Sequence, residues 1–346
     1  MSLRDLIEAQ IAADGPMPLS DFMAHSLMHP TYGYYATRDP FGAAGDFTTA
    51  PEISQMFGEL IGLCLAQTWI DQGADPHAVL VELGPGRGTL MADILRATKG
   101  VPGFAPAVHF VETSPTLRGL QAQAVPQAVF HDDLTTVPDA PILLVANEFF
   151  DALPIRQFQR SGDQWRERVV GPELKLGLAD PAPFGAVADR LADTNQGDIV
   201  EVCTALPALI TELDQRIAGR GGAALIIDYG DWASLGDTLQ ALKNHTSIDP
   251  FSAPGEADLT AHVDFAAIAK HVTRAEVTRL TTQGVFLERL GITQRAQALT
   301  KGLKDEALKS HIAAHRRLTH PAEMGDLFKV IGIKPKHAPN LPGFAT

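Results

Sequence analysis

Hydrophobic positions along this chain change period several times, and each change marks an element. Leu3, Leu6, Ile7 and Ile11 recur at helical spacing, with Ser2 and Asp5 placed for an N-terminal cap, so 2–13 reads as an amphipathic helix. Ser20 is placed to cap a second short helix that runs to Met28 and stops before His29-Pro30. A long helix is predicted from Pro51 to Trp69, with Pro51 at its first position and Glu52 at its positive end. The period then shortens. Apolar runs at Val79–Leu83, Ala107–Glu112, Ala128–His131, Pro141–Ala146 and Ala223–Asp228 alternate with helix-like segments that start near Thr89, Ser114 and Pro207. Short, continuous apolar runs between helices read as strands of a buried parallel sheet, hence an α/β fold. Ile155–Val170 reads as a hairpin turning at Ser161-Gly162-Asp163, and 236–264 as a polar loop rich in Gly and Pro. Helices at Phe265–His271, Phe286–Gly291 and Asp305–Leu318, a strand near Glu276–Thr281 and a last strand within Met324–Ile333 complete the pattern.

The chemistry concentrates where the first of these runs ends. Val79-Leu80-Val81-Glu82-Leu83 leads into Gly84-Pro85-Gly86-Arg87-Gly88, and a helix follows from Thr89. Glycines at alternate positions let the backbone turn sharply and let a ligand approach closely. The spacing is G-x-G-x-G, not the G-x-G-x-x-G of dinucleotide folds, and Arg87-Gly88-Thr89 does not supply the Gly-Lys-Ser/Thr of a phosphate-binding loop. Pyrophosphate and triphosphate ligands are therefore disfavoured. With Glu82 two residues ahead, the pattern resembles the first motif of Rossmann-like S-adenosylmethionine methyltransferases, whose ligand carries an ammonium and a sulfonium and no phosphate.

In open α/β sheets ligands bind beyond the carboxyl ends of the strands. Glu82, Glu112, Asp133, Asn147 and Glu148 fall there, along one rim. Glu112, ending the second strand, is placed to accept ribose hydroxyls. The resemblance to S-adenosylmethionine methyltransferases implies that Asp133 meets an adenine amino group; the alternative is a solvated turn. Thr49, Ser54 and Gln55, with Asp46 and Thr48, stand in a polar loop and helix start just before the first strand and are candidates for lining the ligand.

Totals narrow the class. At 346 residues the chain fits one large α/β domain with an appendage, divided as an N-terminal segment, 1–75, lining the cofactor cleft, and a core, 76–346, with insertions at 155–220 and 236–275. The net charge is 28 − 41 = −13, which argues against broad binding to nucleic acid or an anionic membrane. Cys64 and Cys203 stand far apart without a CxxC, which suits a reducing compartment. No stretch has the apolar length of a membrane-spanning helix, and Met1–Ile11 lacks both a signal peptide's apolar core and the acid-poor look of a transit peptide. The expectation is a cytoplasmic protein. His311, His315 and His320 lie near each other without a glutamate or cysteine partner, and no metal site is expected.

Five motifs taken together, Gly45–Glu59, Glu82–Gly88, Asn147–Pro154, Asp228-Tyr229-Gly230 and Asp258–Asp264, resemble those of the MidA family. The resemblance covers nearly the whole chain. It implies a class I S-adenosylmethionine methyltransferase sheet with helices on both faces, an N-terminal helical segment and inserted elements on the substrate side. Mitochondrial members of that family are protein arginine methyltransferases that assist assembly of respiratory complex I. Their substrate is an arginine of a peripheral-arm subunit, and their product is symmetric dimethylarginine. The resemblance thus implies a protein substrate and S-adenosyl-L-methionine as cofactor. A non-catalytic assembly chaperone using the same cleft is the alternative, and an NAD-dependent oxidoreductase is disfavoured by the glycine spacing.

For that chemistry, carboxylates must hold the guanidinium, localise its charge and aim one nitrogen at the methyl group. A carboxylate or histidine must then accept the released proton. Glu148 and Asp151 are the first candidates, and Asp258, His262 and Asp264 form a second set. The competing readings are a helix-start acid for Glu148, a cap for Asp151 and a structural histidine for His262. Tyr34 and Tyr35 are candidates to close over a ligand or to pack in the core.

Overall fold

The computed structural model describes residues 1–37 and 48–345, which form two compact units. One comprises Thr48–Phe150, Ala208–Gly230 and Phe265–Thr346. Its sheet contains β1 (Val79–Leu83), β2 (Ala107–Val111), β3 (Val129–His131), β4 (Ile142–Asn147), β5 (Gly222–Asp231) and β6 (Phe328–Lys334), in the order β6-β5-β4-β1-β2-β3. Strands β1 to β5 are parallel, and β6 pairs antiparallel with β5. Every residue of β1 and β4 is buried, as expected of central strands covered on both faces, which is why they read as unbroken apolar runs. After β1 the chain winds outward through β2 and β3, then returns to the other side of β1 as β4. The crevice for a ligand lies at that reversal, beyond the carboxyl ends of β1 and β4. In the paired register Glu82 stands opposite Phe110 on one side and Val145 on the other.

The helices of this unit are α1 (Ala50–Ile53), α2 (Gln55–Asp71), α3 (Thr89–Thr98), α4 (Pro115–Ala124), α5 (Leu206–Arg220), α6 (Phe265–His271), α7 (Gln283–Arg289), α8 (Ile292–Leu299) and α9 (Asp305–Thr319). Phe57, Ile61 and Leu65 of α2 and Leu90, Met91 and Ile94 of α3 pack with Leu80, Leu143, Val145, Leu225 and Ile227 of the sheet. Glu59 is buried in α2, where Arg96 and Arg295 hold its carboxylate at 2.7 Å each.

The single helix expected over Pro51–Trp69 is two. Ser54 adopts extended backbone (φ −160°, ψ 136°), ends α1, and caps α2 by accepting the Met56 N–H. Helix α8 was not foreseen, and the strand expected near Glu276–Thr281 is two short pieces, Glu276–Val277 and Thr281–Thr282, each paired with β6.

The other unit contains the described residues of Met1–Phe47, Asp151–Pro207 and Asp231–Asp264. Its first helix, Leu3–Asp14, has the expected capping box at Ser2 and Asp5. The second, Leu19–Met28, starts after Pro18 with no side-chain cap, and Ser20 lies buried inside it. The expected hairpin is present as Ile155–Ser161 and Gln164–Val170, flanked by Ile199–Cys203 and by Met17–Pro18. Leu3, Ile7, Phe22, Met23 and Leu27 pack with Ile155, Val170 and Leu259. The stretch expected as a polar loop is a small sheet of Thr246–Ile248, Gln240–Lys243 and Asp258–Thr260. Its hairpin turns at Asn244 and His245, both with positive φ (52° and 58°), as a two-residue turn requires of its central pair.

Candidate functional site

Gly84, Gly86 and Gly88 all have left-handed φ, at 59°, 56° and 83°. Side chains at such angles are strained, so the alternate spacing of glycine reflects backbone geometry. At Gly84 space is also short, since a Cβ there would lie 2.7 Å from Phe149 Cδ2. The turn after β1 is thereby seated against the turn after β4, and α3 starts from Gly88.

Among the described residues, acceptor oxygens at the ends of β1 and β4 are stranded beside this loop. Glu82 is 3% exposed and its Oε2 has no hydrogen-bond partner among the described residues. Burial pushes its carboxyl well above the usual range, against a weaker pull from the Met91 N–H. Asn147 is 8% exposed; its Nδ2 donates to Glu148 Oε1 at 3.0 Å, which leaves Oδ1 buried and unpartnered. Orphaned buried oxygens of this kind cost about 1–3 kcal/mol each, and a ligand carrying N–H or O–H donors removes that cost. S-adenosyl-L-methionine brings an ammonium and ribose hydroxyls, so the donor set fits it.

Glu112 follows β2 and is buried. Its Oε1 accepts the Ser114 N–H at 2.8 Å and its Oε2 accepts Gln121 Nε2 at 3.1 Å. Burial raises its carboxyl pKa, outweighing these donors. Asp133 is exposed and caps the turn Leu134–Thr136, accepting the Thr135 N–H at 2.8 Å and the Thr135 hydroxyl. These bonds, both to Oδ1, hold its carboxyl below the usual range.

The turn after β4 places Glu148 at φ 50°, rare for a residue with a side chain. Its N–H bonds to Ile227 O at 2.9 Å, and its Oε1 accepts the Ala50 N–H at 3.0 Å. Helix α1 is therefore tied at its start to Glu148. The same helix is tied to the start of α3, where the Thr89 hydroxyl donates to Glu52 and Arg87 lies 3.9 Å from the Glu52 carboxylate. Thr49 is buried and its carbonyl accepts the Glu52 N–H at 3.0 Å. Gln55 is exposed, with Nε2 donating to Glu59 at 3.2 Å. Gly45, Asp46 and Phe47 of the same motif lie outside the described residues. Asp228, fully buried at the end of β5, accepts the Phe150 N–H at 3.0 Å and holds the chain as it leaves β4.

The remaining candidates belong to the other unit. Asp151 and Asp258 are buried, and the Tyr35 hydroxyl donates to Asp258 Oδ1 at 2.8 Å. Burial, then the charges of Asp258 and Asp151, push the Tyr35 phenol well above its usual pKa. The Ala261 N–H bonds to the Asp151 carbonyl at 2.9 Å. His262 donates its backbone N–H to Thr238 Oγ1 at 2.8 Å, and Thr238 is in turn held by Glu201. Asp264 Oδ2 lies 3.7 Å from Arg190, so this acid already faces a cation of its own chain. Among the three clustered histidines, His311 bonds to Ala296 O, His315 lies beside Thr293 and Glu288, and His320 caps the Ala322 N–H.

In the sequence Gln121 reads as one more polar residue of a helix. It is fully buried and joins Gly86 to Glu112.

Residues 60–284 match the family model described as "Putative S-adenosyl-L-methionine-dependent methyltransferase". The mitochondrial protein arginine methyltransferase NDUFAF7 of Danio rerio is 36% identical over 361 residues, covering 94% of this chain and 85% of that protein. The Homo sapiens protein of the same name is 35% identical over 363 residues, covering 94% and 82%. Among solved structures, a Burkholderia thailandensis protein bound to S-adenosyl-homocysteine matches with a TM-score of 0.82 at 30% identity, over 99% of this chain and 94% of that one. The relatives are named mitochondrial, which overturns the cytoplasmic placement expected from the N-terminal pattern. Leu3, Ile7 and Ile11 are buried in the fold, so the apolar face of that helix is explained by packing.

Proposed function

This chain belongs to the family of S-adenosyl-L-methionine-dependent methyltransferases, and from that premise we propose that it methylates arginine side chains of a protein, the activity its relatives are named for. The bound cofactor supplies a methyl group whose bond to sulfur breaks as the bond to the acceptor nitrogen forms. The observation that supports the cofactor site is the pair of buried, unpartnered oxygens on Glu82 and Asn147 beside the glycine loop. Glu82 and Asn147 accept hydrogen bonds from the cofactor's donors, Glu112 accepts from the ribose hydroxyls, and the loop from Gly84 to Gly88 brings backbone into contact with the ligand. Thr49, Ser54 and Gln55 line its approach, and Asp133 meets the adenine edge.

Glu148 and, three residues along the chain, Asp151 supply the carboxylates that hold the guanidinium. Bidentate pairing localises the positive charge and leaves one nitrogen aimed at the methyl group. As that nitrogen gains carbon it releases a proton, which a carboxylate of this pair takes. Following the MidA resemblance, the substrate is an arginine of a complex I subunit and the product symmetric dimethylarginine.

Glu148→Gln tests the assignment. The amide keeps an oxygen for the Ala50 N–H, so the turn and S-adenosyl-homocysteine binding should survive, while methyl transfer should fall at least about a hundredfold, the scale of a lost general base. Normal methylation by this variant would make Glu148 an anchor for α1 alone. Mass spectrometry of complex I arginines in cells with and without the protein tests the substrate, and identical spectra would move the activity to another client.

A further inference from the structure

We propose that Gln121 is a positioning residue for the cofactor, tying the glycine loop to the acid that receives the ribose; this rests on the cofactor site described above. Gln121 lies in α4 and is 0% exposed. Its Nε2 donates to Gly86 O at 2.9 Å and to Glu112 Oε2 at 3.1 Å. The two acceptors belong to different strand-to-helix turns, those after β1 and β2. The amide orientation is unambiguous, because both neighbours are oxygens and a flipped carbonyl would face them. Helix α4 also seats the loop by contact, since a Cβ at Gly88 would lie 3.2 Å from Ala124 Cβ and 3.5 Å from Gln121 Cα.

Each bond restrains something the ligand needs. Holding Gly86 O fixes the plane of the peptide that follows, since peptides rotate as rigid units. Holding Glu112 Oε2, while the Ser114 N–H holds Oε1, leaves the carboxylate no freedom to rotate away. A neutral amide suits the position, because a lysine would neutralise the acid that the ribose hydroxyls are to meet and an apolar residue would release both turns. Binding then requires less ordering of the protein, which is what a preorganised site contributes.

The test is calorimetry of the full chain and of Gln121→Leu with S-adenosyl-homocysteine and with its 2′-deoxy analogue. In the unmodified protein, loss of the 2′-hydroxyl should weaken binding about tenfold, the scale of one hydrogen bond to a charged group. In Gln121→Leu the parent ligand should bind about tenfold more weakly, and the 2′-hydroxyl should matter about twofold or less. A merely structural glutamine would lower the melting temperature and leave the 2′-hydroxyl penalty unchanged; that result, or unchanged affinity for the parent ligand, overturns the proposal. If the leucine variant does not fold, Gln121→Met removes the donors at a similar size and should show the same loss of coupling. An unmodified protein that binds both ligands equally would remove Glu112 from the ribose and the proposal with it. Failure of the unmodified protein to bind the parent ligand at all is the distinct result that would overturn the cofactor site itself.

Discussion

One methyl group added at Gly84 probes how the loop is held. Two terms oppose it. The residue sits at φ 59°, where an L side chain costs about 1–2 kcal/mol. The new Cβ would also lie 2.7 Å from Phe149 Cδ2, against a carbon–carbon optimum of about 3.5–4.0 Å. Relieving that overlap shifts the ring or the strand end, at about 1–3 kcal/mol. Gly84→Ala should therefore lower the unfolding free energy by about 2–5 kcal/mol, and each kcal/mol should lower Tm by about 2–4 °C. Because Phe149 follows Glu148 directly, the shift should also weaken S-adenosyl-homocysteine binding. A double-mutant cycle separates the terms. In a Phe149→Ala background the overlap vanishes and only the backbone term remains, so the same substitution should cost about 1–2 kcal/mol. Urea denaturation of the four proteins measures this. Equal costs in both backgrounds, or a loss under about 1 kcal/mol in the parent, would refute the steric account.

Gly86→Val puts a β-branched side chain at φ 56° and should abolish S-adenosyl-homocysteine binding by calorimetry; unchanged affinity would remove the loop from the site. His109 and His131 lie 2.9 Å apart, and burial, then the neighbouring positive charge, holds both below the ordinary histidine pKa. Their folded values lie below the unfolded value of about 6.5, so stability present above that pH should be lost as pH falls through the folded values. Melting curves between pH about 7 and 5 should show the decline, and His109→Leu should flatten it. Glu59→Ala should cost about 2 kcal/mol in urea denaturation, because Arg96 and Arg295 lose the buried carboxylate they share but, being half-exposed, regain water.

Some of this architecture is written locally. Val79–Leu83 could be read as a buried strand because both its faces are covered, and Gly84, Gly86 and Gly88 because left-handed backbone selects glycine one residue at a time. The Ser2 capping box needs only four consecutive residues. The acids at the strand ends were legible for a similar reason, since the direction of a parallel strand places its last residue on the ligand side. What each acid does there was not legible. Asp133 caps its own turn, Asp264 faces Arg190 across 74 positions of sequence, 264 − 190, and Glu148 accepts the N–H of Ala50 from 98 positions away. The break at Ser54 escaped because α1 is fastened at Glu148 and Thr89, neither of which is near it in sequence. Gln121 makes the contrast sharpest. Its helix was readable from Ser114-Pro115 onward, but a glutamine bonds equally well to water, and only the docking of α4 against the glycine loop buries this one between Gly86 and Glu112. Periodicity and backbone angles are properties of a few adjacent residues and survive in the sequence; a hydrogen-bond partner is a property of packing, and exists only once distant segments have been brought together.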